Sequence, residues 1–176
     1  FRPIAERKSN VLADLALQPG GYVLATVHRA ANTDDPARLR AIIDAFNQSG
    51  ERVIFPAHPR TRGVLEKAGV QAAANLSIID PVGYFDMVTL EANARMIATD
   101  SGGVQREAYF LGKPCITLRD ETEWAETVTA GWNVLTSANT QTILNAWHGF
   151  KPAGAQPPIF GDGHAAEHIT RLLSAP

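Results

Sequence analysis

A chain of 176 residues, 45% hydrophobic and 19% charged, is long enough for one packed core and too apolar for intrinsic disorder. It carries 16 Lys and Arg against 18 Asp and Glu, a net charge of −2, which excludes a general binder of nucleic acid or another polyanion and leaves any phosphate to one loop or one arginine. The single cysteine, Cys115, excludes an internal disulfide, and no apolar run approaches a membrane span.

Residues 4–16 read as a helix stopped by Pro19, Gly20 and Gly21. The run YVLATV at 22–27 is short, apolar and partly β-branched, the pattern of a strand buried on both faces. Asp34-Asp35-Pro36 supplies a capping acid and a first-turn proline for a helix over 36–48. Leu39, Ile42, Ile43 and Phe46 form its apolar stripe, and Gly50 ends it. The cycle then repeats: strand 52–57, helix 61–69, strand 76–80, helix 84–94, strand 95–100, helix 102–112, strand 114–118 and strand 131–136. A helix over 139–148, a proline-rich connector at 151–158 and a last helix from 164 to 174 complete the chain. Strands alternating with helices predict right-handed crossovers and an open parallel α/β sheet with helices on both faces.

Ligands of such sheets sit beyond the carboxyl ends of the strands. Three strand ends are rich in polar groups. At Thr99-Asp100-Ser101-Gly102-Gly103, two glycines at a helix start expose backbone N–H donors to a phosphate, with the Ser101 hydroxyl beside them. Glu107 lies about one turn further on, where a carboxylate can accept both hydroxyls of a ribose. The plainer reading of this segment is a helix cap with close packing. Thr26-Val27-His28-Arg29 places a histidine and an arginine together, suited to anion binding or proton transfer. Pro56-Ala57-His58-Pro59 fixes a second histidine. Each histidine alone also reads as a satisfied loop residue. After the strand at 114–118, Arg119 can reach a phosphate; Asp120, Glu121 and Glu123 suggest paired carboxylates or a metal, but such a run more often is a solvated loop, here partly neutralised by Arg119. His164-Ala165-Ala166-Glu167-His168 matches an inverted zinc-protease pattern, but no third ligand is evident and no metal is expected. Cys115 and the tryptophans read as packing, Trp124 least clearly.

These residues resemble a known family. T-x-H-R at 26–29 with Asn32, PxHP at 56–59, IDPVGY at 79–84, TDSGGVQREAYFLGKP at 99–114, LRDETEWAET at 118–127 and GDGHA at 161–165 are similar, in order, to UDP-N-acetylglucosamine 2-epimerases. That family pairs two Rossmann-like domains in a GT-B arrangement with the active site between them, and this chain resembles the C-terminal, UDP-binding half. The resemblance implies one Rossmann-like domain over 1–176, with 151–176 a connector and terminal helix. It implies a missing N-terminal domain, in keeping with a chain that opens on Phe1 without a signal peptide. It also implies a homodimer in the cytoplasm and no cofactor.

The implied reaction interconverts C2 epimers of a UDP-2-acetamido sugar by elimination and re-addition of UDP. Carried over by position, Ser101, Gly102 and Gly103 hold the diphosphate, Glu107 the ribose, and His58 and Arg119 contact UDP. His28 is the catalytic candidate and Arg29 its neighbour at the domain interface. Ala31 stands where the family signature has Glu, and Trp124-Ala125 where it commonly has Arg-Pro. The first departure predicts a looser loop or slower turnover, unless Asp34 or Asp35 replaces the acid. The second resembles the branch acting on modified sugars such as diacetamido uronic acids. The alternative from another class is the UDP-sugar donor domain of a GT-B glycosyltransferase-like protein.

Overall fold

The computed structural model describes residues 2–152 and 154–174. Its centre is a six-stranded sheet: β1 (Val23–Thr26), β2 (Val53–Pro56), β3 (Leu76–Ile79), β4 (Met96–Thr99), β5 (Cys115–Thr117) and β6 (Asn133–Leu135). The strand order is β3-β2-β1-β4-β5-β6 and every neighbouring pair is parallel. This is the Rossmann order. The expected open parallel sheet is therefore present, with no antiparallel edge among the described residues.

Strand alternation sorts the core into two layers. Val23, Ala25, Val53, Phe55, Met96, Ala98 and Ile116 face α4 (Pro36–Gln48), α5 (Pro59–Lys67) and α9 (Thr140–Gly149). Tyr22, Leu24, Ile54, Ile97 and Cys115 face α2 (Val11–Asp14), α6 (Tyr84–Asn93) and α7 (Gly102–Phe110). Both faces are covered, so the strands are apolar throughout rather than alternating. Helix α4 follows its sequence signals closely. The Asp35 carboxylate accepts from the N–H groups of Ala37 and Arg38 at 2.9 and 3.2 Å, and Gly50 takes φ 72° just past the end. Its Phe46 ring packs edge-on to Phe55 at 6.3 Å and against Trp147 at 5.8 Å. Truncating such a buried aromatic costs about 3–5 kcal/mol.

The helix expected over 4–16 is instead two, α1 (Arg2–Lys8) and α2. Ser9 and Asn10 interrupt it. The Ser9 hydroxyl donates to Asp86 Oδ1 at 2.6 Å and accepts from the Val11 N–H at 3.3 Å, so its side chain competes with the helical backbone. Two short helices escaped the periodicity, α3 (Ala30–Thr33) and α8 (Ala125–Thr129). Each is too short to display a stripe. The terminal helix α10 (Ala165–Leu173) buries no residue and exposes Ile169, Leu172 and Leu173. Cys115 is buried in β5, and burial pushes its thiol up to about 12, so it is core and unreactive. No described helix is long and apolar enough to cross a membrane.

Candidate functional site

The order of the sheet reverses between β1 and β4, and the loops leaving these strands diverge there. Between them lies a cavity of about 430 Å³ whose lining includes Thr26, His28, His58, Arg60, Ser101 and Val104. All three expected strand ends meet here. The Thr26 and Thr99 hydroxyls lie 2.5 Å apart across the two strands, and Thr99 Oγ1 also accepts from the Ser101 N–H at 2.9 Å. Ser101 caps α7 by accepting from the Val104 N–H at 3.4 Å. The plain-cap reading and the phosphate reading are compatible: Gly102 and Gly103 follow as first-turn residues whose N–H groups have no intrahelical partner.

Asp100 organises the β1 loop. It is fully buried, and its carboxylate accepts from the His28 N–H at 3.0 and 3.2 Å, the Arg29 N–H at 3.0 Å and Asn32 Nδ2 at 3.1 Å. His28 Nε2 stands 3.9 Å from the same carboxylate. Asn32 also donates to the Leu118 carbonyl at 2.9 Å, so one side chain ties the ends of β1, β4 and β5 together. His58 caps α5, its Nδ1 accepting from the Arg60 N–H at 3.2 Å. An Nδ1 used as acceptor leaves the ring proton on Nε2.

Arg29 and Arg119 converge on one carboxylate. Arg29 Nη2 donates to Glu123 Oε1 at 2.9 Å, and Arg119 Nη1 donates to Glu123 Oε2 at 2.6 Å. The Glu123 carboxylate also abuts Gly102: a Cβ placed there would meet Oε1 at 3.1 Å. Its own backbone N–H first, and then Arg119, hold its carboxyl below the usual range. An anionic group thus already lies between two guanidinium groups and the start of α7, where electrostatics favour negative charge. Ala31 lines the adjoining cavity of about 400 Å³ with Arg29, Arg38 and Arg119. The acid that pairs with Arg29 is Glu123, not Asp34 or Asp35. Asp34 pairs with Arg60 at 2.8 Å and Asp35 caps α4. Asp120 accepts from Arg38 at 3.1 Å, in line with a solvated, neutralised loop.

Glu107 lines a different cavity, of about 520 Å³, together with Tyr84, Glu91 and Phe110. This cavity and the first are both bounded by residues of α6 and α7. Burial raises the Glu107 carboxyl, while Glu91 and then Arg106 pull it back. Glu91 is wholly buried on α6 and is pushed up to about 9, first by burial and then by Glu107. Arg106 itself lies over the Trp124 ring, 4.7 Å from its centroid.

The family model described as UDP-N-acetylglucosamine 2-epimerase matches residues 2–174. This chain belongs to the UDP-N-acetylglucosamine 2-epimerase family. It is 47% identical to a UDP-N-acetylglucosamine 2-epimerase homolog of Methanococcus maripaludis over 175 residues, covering 97% of this chain and 49% of that protein. It is 45% identical to the UDP-2,3-diacetamido-2,3-dideoxy-D-glucuronate 2-epimerase of Pseudomonas aeruginosa over 159 residues, 88% of this chain and 44% of that one. Among solved structures, the Methanocaldococcus jannaschii UDP-GlcNAc 2-epimerase in complex with UDP-GlcNAc and UDP superposes with a TM-score of 0.84 at 39% identity, over 98% of this chain and 50% of that chain. The chain spans about half the length of the relatives it matches.

Within this 2-epimerase-family fold, His28, His58 and Ser101 share the first cavity, while Arg29 and Arg119 meet at Glu123 beside Gly102. Glu107 faces the second cavity. Sequence reasoning passed over Asp100 and Glu91 as functional groups and set Glu123 aside as part of a solvated loop. Asp100 carried a signal, an acid at a strand end directly before Ser-Gly-Gly. Glu91 carried another, an acid between the apolar Leu90 and Ala92 of a helix. In the terminal helix His164 Nδ1 pairs with Glu167 at 3.5 Å, and no three His, Cys, Asp or Glu residues among those described assemble into a possible metal site.

Proposed function

We propose that this chain is the UDP-binding domain of a 2-epimerase acting on a UDP-linked 2-acetamido sugar, completed by an N-terminal domain across the cleft. The observation that carries the reading is the convergence of His28, His58 and the Ser101 cap of α7 on one cavity at the sheet's switch point. Family membership favours it over a glycosyltransferase-type donor domain.

In this reading the diphosphate lies at the start of α7, against the N–H groups of Gly102 and Gly103 and the Ser101 hydroxyl. The two arginines that now grip Glu123 turn toward it. The ribose hydroxyls go to Glu107. In the reaction, the C2 proton is removed and the C1–O bond to UDP breaks, giving a glycal and free UDP. Re-addition of UDP to C1 with protonation of C2 from the opposite face gives the epimer. The domain's role is to hold the leaving diphosphate, whose developing charge helix N–H groups and arginines stabilise. His28, its main chain fixed by Asp100, presents an imidazole for proton transfer at the cleft. Elimination needs groups on both sides of the sugar, so this chain alone does not epimerise. The whole enzyme is a homodimer of the cytoplasm in this reading.

The test is calorimetric titration of the 176-residue chain with UDP, UMP and inorganic pyrophosphate. UDP is expected to bind better than UMP, and Glu107→Ala to weaken UDP more than pyrophosphate. Equal affinity for UDP and UMP would remove the diphosphate site. Equal losses for UDP and pyrophosphate would remove Glu107 from the ribose.

A further inference from the structure

Glu91 sits in the middle of α6, between Leu90 and Ala92, and all three are buried. A helix position buried to this degree ordinarily holds an apolar side chain. Among the described residues, no hydrogen-bond donor reaches either of its carboxyl oxygens. The group that bears on them is the Glu107 carboxyl of α7, across the cavity both residues line. Two carboxyls that line one cavity, one of them wholly buried, favour a state in which only one is ionised. The burial assigns the proton to Glu91, the more enclosed of the two, and a neutral carboxyl has one O–H to donate. Glu91 lowers the Glu107 carboxyl, the effect of a donor on a carboxylate acceptor. The other charged or titratable groups nearby are Arg106, which also favours the Glu107 anion, Arg2 and Tyr84 on the cavity wall, and the buried Cys115 thiol, which feels the Glu91 charge.

We propose that Glu91 is a positioning residue for nucleoside recognition: its carboxyl O–H pins one oxygen of Glu107, so that the Glu107 carboxylate presents a fixed edge to the ribose diol. The proposal rests on the reading that Glu107 takes the ribose. A carboxylate that accepts from two vicinal hydroxyls at once needs a set plane, and a half-buried Glu on a helix flank has rotamer freedom to lose unless something holds it. Glu91 supplies that hold from beneath, without touching the nucleotide.

The experiment compares Glu91→Gln, Glu91→Leu and Glu107→Ala in the 176-residue chain, titrated with UDP, 2′-deoxyuridine diphosphate and inorganic pyrophosphate. Glu91→Gln keeps an uncharged donor and is expected to bind UDP within about twofold of the parent. Glu91→Leu removes the donor and is expected to lose about tenfold in UDP affinity, the order of one charge-assisted hydrogen bond. It should also lose most of the preference for UDP over the 2′-deoxy form, with pyrophosphate affinity unchanged. Glu91→Met provides the same reading in a more adaptable side chain should the leucine variant not fold. If the leucine or methionine variant keeps parental affinity and ribose preference while Glu107→Ala loses both, Glu91 is only structural and the proposal falls, with the ribose role of Glu107 intact. If Glu107→Ala itself leaves the ribose preference untouched, the underlying reading falls and the proposal with it.

Discussion

Asp100 and Glu91 are both completely buried carboxyls, one at the β1–β4 crossing and the other between α6 and α7. The chain treats them in opposite ways. Asp100 receives hydrogen bonds from His28, Arg29 and Asn32. Glu91 has no aligned donor and faces another acid. Burial removes both from water to a similar degree. What differs is whether donors are aimed at the oxygens. A carboxylate with several N–H donors serves as a node that fixes a loop; one without them takes up a proton and becomes a donor itself. The first arrangement orders the backbone under the cleft histidine, and the second sets a neighbouring side chain.

The largest expected effect breaks the first arrangement. Asp100→Ala takes the acceptor from the part-buried main-chain N–H groups of His28 and Arg29 and from Asn32 Nδ2, and releases the His28 loop; it should lower unfolding free energy by about 3–5 kcal/mol in urea denaturation. A loss under about 1 kcal/mol would mean that the loop is held otherwise.

The second prediction concerns the sign of the Glu91 contribution. Its carboxyl is near 4.5 when unfolded and raised to about 9 when folded. The folded state therefore binds the extra proton between those values, and stability is full below about pH 4.5 and falls as pH rises toward 9. Glu91→Gln removes that dependence. At pH 7 the variant should be more stable by roughly 3 kcal/mol, with the gap widening toward pH 9 and closing near pH 4.5. Denaturation midpoints across this range check it, and a constant gap would show that Glu91 is ionised in the fold.

A smaller effect is expected at Glu123, whose carboxylate lies against Gly102 and between Arg29 and Arg119. It is half-exposed, so Glu123→Gln should change stability by less than about 1 kcal/mol. Pyrophosphate affinity should rise about threefold as two guanidinium groups are freed. A fall in affinity would make Glu123 part of the binding surface rather than a competitor for it.

The smallest effect is expected at Ala31. The loop is anchored through the main chain of His28 and Arg29 and through Asn32, none of which involves position 31. Ala31→Glu places an acid on an exposed wall beside Arg29, Arg38 and Arg119. It should shift unfolding free energy by no more than about 0.5 kcal/mol. A larger gain would show that those arginines are poorly neutralised by Glu123 and Asp120.

Much of this molecule is written locally. Strands β1 to β6 are short apolar runs between breakers, and α4 carries its cap, proline, stripe and terminal glycine in consecutive residues. Ser101, Gly102 and Gly103 announce an open helix start because each acts through its own backbone. The histidines at 28 and 58 were visible as strand-end residues for the same reason. The order of strands, the break at Ser9 and the short helices α3 and α8 were not, since each depends on contacts with distant elements or is shorter than one period of any pattern. The bond from Ser9 to Asp86 spans 77 positions, and the Arg29–Glu123 contact spans 94. No local window holds both partners.

The sequence by itself determined the α/β class, the alternation of elements and the chemistry placed at three strand ends, because hydrophobic period, capping and breaker residues act over a few positions. Only the tertiary structure decided that β1 and β4 are neighbours, that His28, His58 and Ser101 line one cavity, and that Glu107 faces another. It alone decided what becomes of the buried acids. What a buried carboxyl does depends on which groups reach it through space: Asp100 meets its donors from residues 68–72 positions away, whereas Glu91, equally enclosed, has no hydrogen-bond donor among the described residues and faces the Glu107 carboxyl.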